Sequence, residues 1–388
     1  MKIKPFTIHI SDEQTIDLKS RVKNARWPDT ILGTDWLYGA DIQSMREIAE
    51  YWLNVFDWRE QERKLHAFNH YKANIKGLDV HFIHERGEAD NSLPLLMTHG
   101  WPGSFLEFQK ILPMLTHPSR FGSNRDDAFD MIVPSLMGFG FSDRPRQQGA
   151  NTFWIARIWQ QLMTELGYRQ FCVQGGDIGA NVSTVLALNY PAHVQALHLN
   201  YIPGSYSPYI EPGAPVTSAE AAFEKWAKDW SEEHGAYSHL QAKEPQTLGM
   251  ALNDSPIGLA AWIITKFRDW SDCNGEVETR FSKDELLANV SLYWFTQTIT
   301  SSFRLYYEGS RAPLRLARGQ RIEPPCGVAR FPKELPMPPR ERIERAYNVT
   351  QWTEMPRGGH FAAAEEPELL AADLQKFFRP LRTARVSG

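Results

Sequence analysis

Cysteine is scarce: Cys172, Cys273 and Cys326 are the only three in 388 residues. Far apart and odd in number, they exclude a disulfide framework and a cysteine metal site, and they fit a reducing compartment. Surplus positive charge is also lacking. With a net charge of -4 and 23% charged residues the chain has no basic patch for nucleic acid and no long acidic tract. The opening MKIKPFTIHISDEQTIDLKS is broken by charges and a proline, so it offers neither a signal-peptide core nor a membrane anchor, and the expected location is cytoplasmic. There is no HExxH, and the 12 histidines are scattered, so no catalytic metal is expected. Gly138-Phe139-Gly140 has Asp143 where a dinucleotide fingerprint needs its third glycine, which leaves no cofactor to expect. G-x-S-x-G is missing altogether, so a serine esterase would have no nucleophile here.

Aromatic residues are plentiful instead: 13 Trp, 13 Tyr and 21 Phe require a large core or an apolar cavity. Residues 1–70 read as a helical extension packing on the core, with amphipathic runs from Ser11 to Lys23 and from Ile42 to Phe56. Lys76-Gly77 then joins YKANI and DVHFIHE as a hairpin. Short apolar runs (LPLLMTH, FDMIVPS, QFCVQGG, VQALHLNYI) alternate with helical stretches starting at Ser104, Thr152 and Ile178. Such alternation predicts an α/β fold with a mostly parallel sheet covered on both faces, its first part spanning 71–203. Residues 204–312 lose the rhythm and read as a helical lid, with a capping box at Thr217-Glu220; Trp226, Trp230, Trp262 and Trp270 are read as its core, or alternatively as the lining of a tunnel. The sheet resumes over 313–388 with CGVARFP and YNVTQWTEM and ends in an amphipathic helix.

Three stretches carry chemistry. Gly175-Gly176-Asp177-Ile178-Gly179 has the spacing of a nucleophile elbow between a buried strand and a helix, although an aspartate there is also an ordinary helix cap. His99-Gly100-Trp101-Pro102-Gly103-Ser104 follows a strand where an oxyanion loop belongs, so the backbone N–H groups of Trp101 and Ile178 are the expected oxyanion donors. The same loop supplies His99 and Pro102 as candidate pocket residues. His360, in Arg357-Gly358-Gly359-His360-Phe361, occupies the place of a general base. Its acid should follow the preceding strand, where Glu334 stands, with Glu341 and Glu344 as competitors.

A carboxylate, with an ordinary pKa of about 4, needs no base to ionise it near neutrality. An aspartate nucleophile thus leaves the histidine free for a second step, in which water attacks an alkyl-enzyme ester. Halide release asks for a polarisable donor such as an indole beside the nucleophile, and that neighbour is Ile178. An epoxide opening to an alkoxide asks for O–H donors, and Tyr237, Tyr306 and Tyr307 near the ends of lid helices are candidates.

HGWPGS, GGDIG, ALNDSPIGLAAWI, RLYYE, FPKE and RGGHFAAAEEPELLAADL, with FDWREQERKLHAFNHYKANIKGLDVHFIHER near the N-terminus, together resemble the epoxide hydrolases of the α/β-hydrolase fold, in particular their microsomal-type branch. The likeness runs along nearly the whole chain. It implies Asp177 as nucleophile, His360 as base, Glu334 as its acid, and Tyr237 and Tyr306 as donors to the epoxide oxygen. Tyr306 is preferred to Tyr307 because the family tyrosine stands two residues before the glutamate matching Glu308. The chain departs from the family pattern at Ile178, often Trp in relatives, and at Met137, often Pro. Met137 is therefore a candidate pocket residue. The resemblance implies a small apolar epoxide as substrate and a soluble bacterial or fungal member; a homodimer is the commonest assembly. A haloalkane dehalogenase-like enzyme and a non-catalytic small-ligand receptor are the rival readings.

Overall fold

A computed structural model describes residues 3–202, 206–211 and 213–386. Nine strands form one sheet in the order β1-β2-β3-β5-β4-β6-β7-β8-β9. The strands are β1 (Ile3–Pro5), β2 (His70–Ile75), β3 (Leu78–Glu85), β4 (Leu93–Thr98), β5 (Phe129–Pro134), β6 (Phe171–Gly175), β7 (Val194–Leu199), β8 (Ile322–Arg330) and β9 (Tyr347–Glu354). From β5 to β9 every pairing is parallel, and β1 to β3 add an antiparallel edge. The strands β4, β5 and β6 are buried along their whole length, which is why they read as unbroken apolar runs.

The extension holds α1 (Asp12–Lys23), α2 (Ile42–Asn54) and α3 (Trp58–Leu65). Helices α4 (Ile111–Thr116), α5 (Thr152–Glu165) and α6 (Asp177–Asn189) belong to the core. The lid comprises α7 (Ser218–His234), α8 (Ala236–Lys243), α9 (Pro245–Leu252), α10 (Pro256–Trp270), α11 (Lys283–Thr296) and α12 (Ile299–Arg311). After it come α13 (Arg340–Glu344), α14 (Ala362–Glu365) and α15 (Pro367–Val386). The expected boundary at 203/204 lies outside the described residues.

Some expectations need correction. No α-helix starts at Ser104: Phe105–Phe108 is a 3-10 turn and α4 begins only at Ile111. Pro113 has no N–H for the bond a continuous helix would need there. The extension contains a strand and a third helix besides the two runs read from sequence. Trp226 is 42% exposed and is not lid core. The extension reaches beyond the sheet edge. Arg21 pairs with Asp254 of the lid at 2.7 Å, the Tyr51 hydroxyl donates to Asp284 at 3.1 Å, and the Trp58 ring meets Phe295 with centroids 5.0 Å apart.

Candidate active site

The turn from β6 into α6 places Asp177 at φ 47°, a left-handed conformation uncommon for a non-glycine residue. A side chain at Gly179 would put its Cβ 1.8 Å from the Thr98 carbonyl oxygen, so only glycine lets α6 approach β4 this closely. The cap position of α6 is Gly176 with no side-chain cap, and the Asp177 carboxylate turns away from its own helix. Its Oδ1 accepts the Trp101 N–H at 2.8 Å. This disposes of the helix-cap reading and joins two of the three motifs.

His360 completes the line. Its Nε2 lies 3.6 Å from Asp177 Oδ2, and its Nδ1 lies 2.5 Å from Glu334 Oε1. Burial opposes a charge on this ring, but Glu334 and Asp177 on either side outweigh it and hold its pKa well above the ordinary histidine value. Glu341 and Glu344 lie elsewhere, bonded to Thr217 and Arg340. The histidine loop is fastened to the end of α10: the His360 N–H donates to the Trp270 carbonyl at 2.9 Å, and the Gly358 N–H to Asp272 at 3.0 Å.

Aromatic rings roof the carboxylate. Tyr237 from α8 stacks on Trp101 with centroids 5.4 Å apart and planes 9° from parallel, and Tyr306 from α12 stands edge-on to both. Burial, with the charge of Asp177 adding to it, raises the pKa of Tyr237. Tyr306 is raised well above the usual phenol range, by burial first and then by Tyr237 and Asp177. Both phenols therefore keep their protons. Tyr307 faces away, its ring under the Arg311 guanidinium. Trp270 is buried in the core of the lid, as expected, and its ring meets His360 at 5.2 Å and Tyr237 at 5.0 Å.

The remaining candidates sit at different distances from the chemistry. Ile178 is half-buried in the first turn of α6, where backbone N–H groups have no partner within the helix. His99 is buried, with Nε2 accepting the Leu136 N–H and Nδ1 against the Gly100 carbonyl, both at 3.0 Å. Burial pushes its pKa down to about 4, so it is a neutral ring that braces the loop carrying Trp101. Pro102 is held by Asn289, which donates to its carbonyl at 2.9 Å. Neither Pro102 nor Met137 lines the cavity beside Asp177; Met137 lines a separate one next to Arg304. Sequence reasoning missed Glu107, which does line the cavity at Asp177.

Residues 3–108 match the family model described as epoxide hydrolase N terminus, and residues 94–241 match the α/β-hydrolase fold model. A protein of Stigmatella aurantiaca (strain DW4/3-1) is 42% identical over 98% of this chain and 86% of its own length. Epoxide hydrolase 1 of Sus scrofa is 39% identical over 97% of this chain and 88% of that protein. Among solved structures, Aspergillus niger epoxide hydrolase superposes with a TM-score of 0.86 at 32% identity, covering 98% of this chain and 97% of that one. With similarity of this degree along nearly its whole length, the chain belongs to the epoxide hydrolase family of the α/β-hydrolase fold.

Proposed function

We propose that the chain converts a small apolar epoxide and water into a vicinal diol through a covalent ester on Asp177, without a cofactor. The observation that carries this reading is the line Glu334–His360–Asp177, with Trp101 N–H already on the carboxylate. Asp177 attacks an epoxide carbon, the C–O bond breaks, and a phenol proton from Tyr237 or Tyr306 goes to the departing oxygen. Esterification cancels the negative charge of Asp177, one of the two carboxylates that hold the pKa of His360 high. The ring then gives up its proton to solvent and is neutral, free to accept one, at the step that requires a base. Water then gives a proton to His360 Nε2 and attacks the ester carbonyl, with the N–H groups of Trp101 and Ile178 holding the oxyanion. Such donors contribute about 2.7–4 kcal/mol each in other enzymes. The acyl–oxygen bond breaks, His360 protonates the leaving alkoxide, and the proton left on Asp177 returns to the phenolate.

The aromatic roof supports an apolar substrate, and Ile178 beside the nucleophile supports an epoxide over an alkyl halide. The test is one turnover of styrene oxide in 18O-labelled water, followed by mass analysis of the peptide holding Asp177. One labelled oxygen in that peptide is expected; label found only in the diol would overturn the ester.

A further inference from the structure

Glu107 is an acidic residue at the reacting groups for which the proposed reaction has no use. It sits in the 3-10 turn Phe105–Phe108, and its carboxyl lies flat against the backbone of Gly103. A Cβ on Gly103 would stand 1.2 Å from Glu107 Oε1, so the second glycine of HGWPG is a seat for this carboxyl. The seat is held from the lid by α11: the Tyr293 hydroxyl donates to the Gly103 carbonyl at 2.7 Å, and the Ser104 hydroxyl donates to Asn289 at 2.8 Å.

The cavity that Glu107 shares with Asp177 and His360 has a volume of about 20 Å³, room for about one water molecule. On its other side Glu107 borders a second cavity of about 540 Å³, between α3, α11 and α14, whose rim carries the exposed Lys64 and Lys110. No other residue lines both. Burial pushes the Glu107 carboxyl up to about 8; Asp177 adds to the rise, while His360 and the Ser104 backbone N–H oppose it. Tyr293 faces it from α11, and Lys110, Asp284 and Glu285 stand farther out around the second cavity.

We propose, on the footing of the ester route above, that Glu107 is a positioning residue for the hydrolytic water, accepting a hydrogen bond from one of its O–H groups while His360 takes the proton of the other. The attacking water needs two acceptors to fix its lone pair on the ester carbon, and the small cavity offers His360 and Glu107.

The test separates the two half-reactions by rapid-quench single turnover. In Glu107→Gln, ester hydrolysis is expected to slow by about 10²-fold while ester formation stays within about twofold, so the ester accumulates. Gly103→Ala, which moves the carboxyl without removing it, is expected to slow hydrolysis more than formation. Glu107→Asp takes the place of the Gln variant should that one fail to fold. The rise of the hydrolysis rate with pH is expected to keep one ionisation fewer in Glu107→Gln, a change that loosened packing would not produce. Unchanged hydrolysis, or equal slowing of both steps, overturns the role of Glu107. Absence of any ester in the unaltered protein would instead overturn the Asp177 route itself.

Discussion

At the scale of single residues, the proposed route gives Asp177 and His360 separable duties, because one would make the ester and the other break it. His360 stands between two carboxylates, 2.5 Å from Glu334 and 3.6 Å from Asp177, and replacing its ring removes the base of the proposed route. His360→Gln is therefore expected to lower steady-state turnover by about 10²–10⁴-fold while a burst of ester, at most one per chain, still forms. Asp177→Ala is expected to give no burst. Intact-mass spectrometry after mixing with styrene oxide reads both outcomes, and an equal burst in the two variants would contradict the division of labour.

At the scale of elements, the joint between the lid and the histidine loop contains a titrating group. Glu365, in α14, accepts the Phe361 N–H at 3.0 Å and the Asp272 N–H at 2.8 Å, tying the His360 loop to the segment after α10. Burial nevertheless raises its pKa to about 7, with those two amides opposing the rise. A carboxyl raised on folding contributes stability that is complete below its unfolded value, about 4.3, and is lost as pH rises through its folded value. The stability of the unaltered protein relative to Glu365→Gln is thus expected to fall by on the order of 3 kcal/mol between about pH 4.5 and 7.5. Denaturant unfolding of both proteins at a series of pH values measures this, and parallel curves would refute it.

The same scale shows what could be read without coordinates. Parallel strands buried on both faces are continuous apolar runs, and the elbow, the loop carrying Trp101 and the histidine loop are each local strings, so each could be picked out from sequence. Glu334 could be told from Glu341 and Glu344 only by proximity, since all three follow β8. Glu107 was hidden for a different reason. Its role depends on a glycine four residues earlier and on α11, some 180 residues later, and neither periodicity nor motif spacing links them. A three-residue strand ending in proline, β1, was too short to produce an alternation.

At the scale of the whole molecule, the N-terminal extension is wired into the site through the lid. Glu62, buried in α3, accepts three donors: the Ile10 N–H at 2.7 Å, the Trp58 indole N–H at 2.8 Å and Arg59 at 2.6 Å. It thereby fixes the chain leading into α1 and orients the Trp58 ring against Phe295, near the end of α11. Asn289 and Tyr293 on that helix hold the loop that presents Trp101 N–H to Asp177. Glu62→Ala would leave two buried N–H donors without their acceptor, and Arg59 with Asp12 as its remaining carboxylate, a loss of about 3 kcal/mol by the usual cost of such orphans. The apolar core runs without a break through extension, sheet and lid, so that loss is expected to lower one common transition. Tryptophan fluorescence, with reporters in extension, core and lid, should then shift together with far-ultraviolet circular dichroism. Turnover should decline over the same denaturant range. An extension that melted by itself, with activity persisting beyond its transition, would show that α3 and α11 are not coupled in the way their contacts indicate.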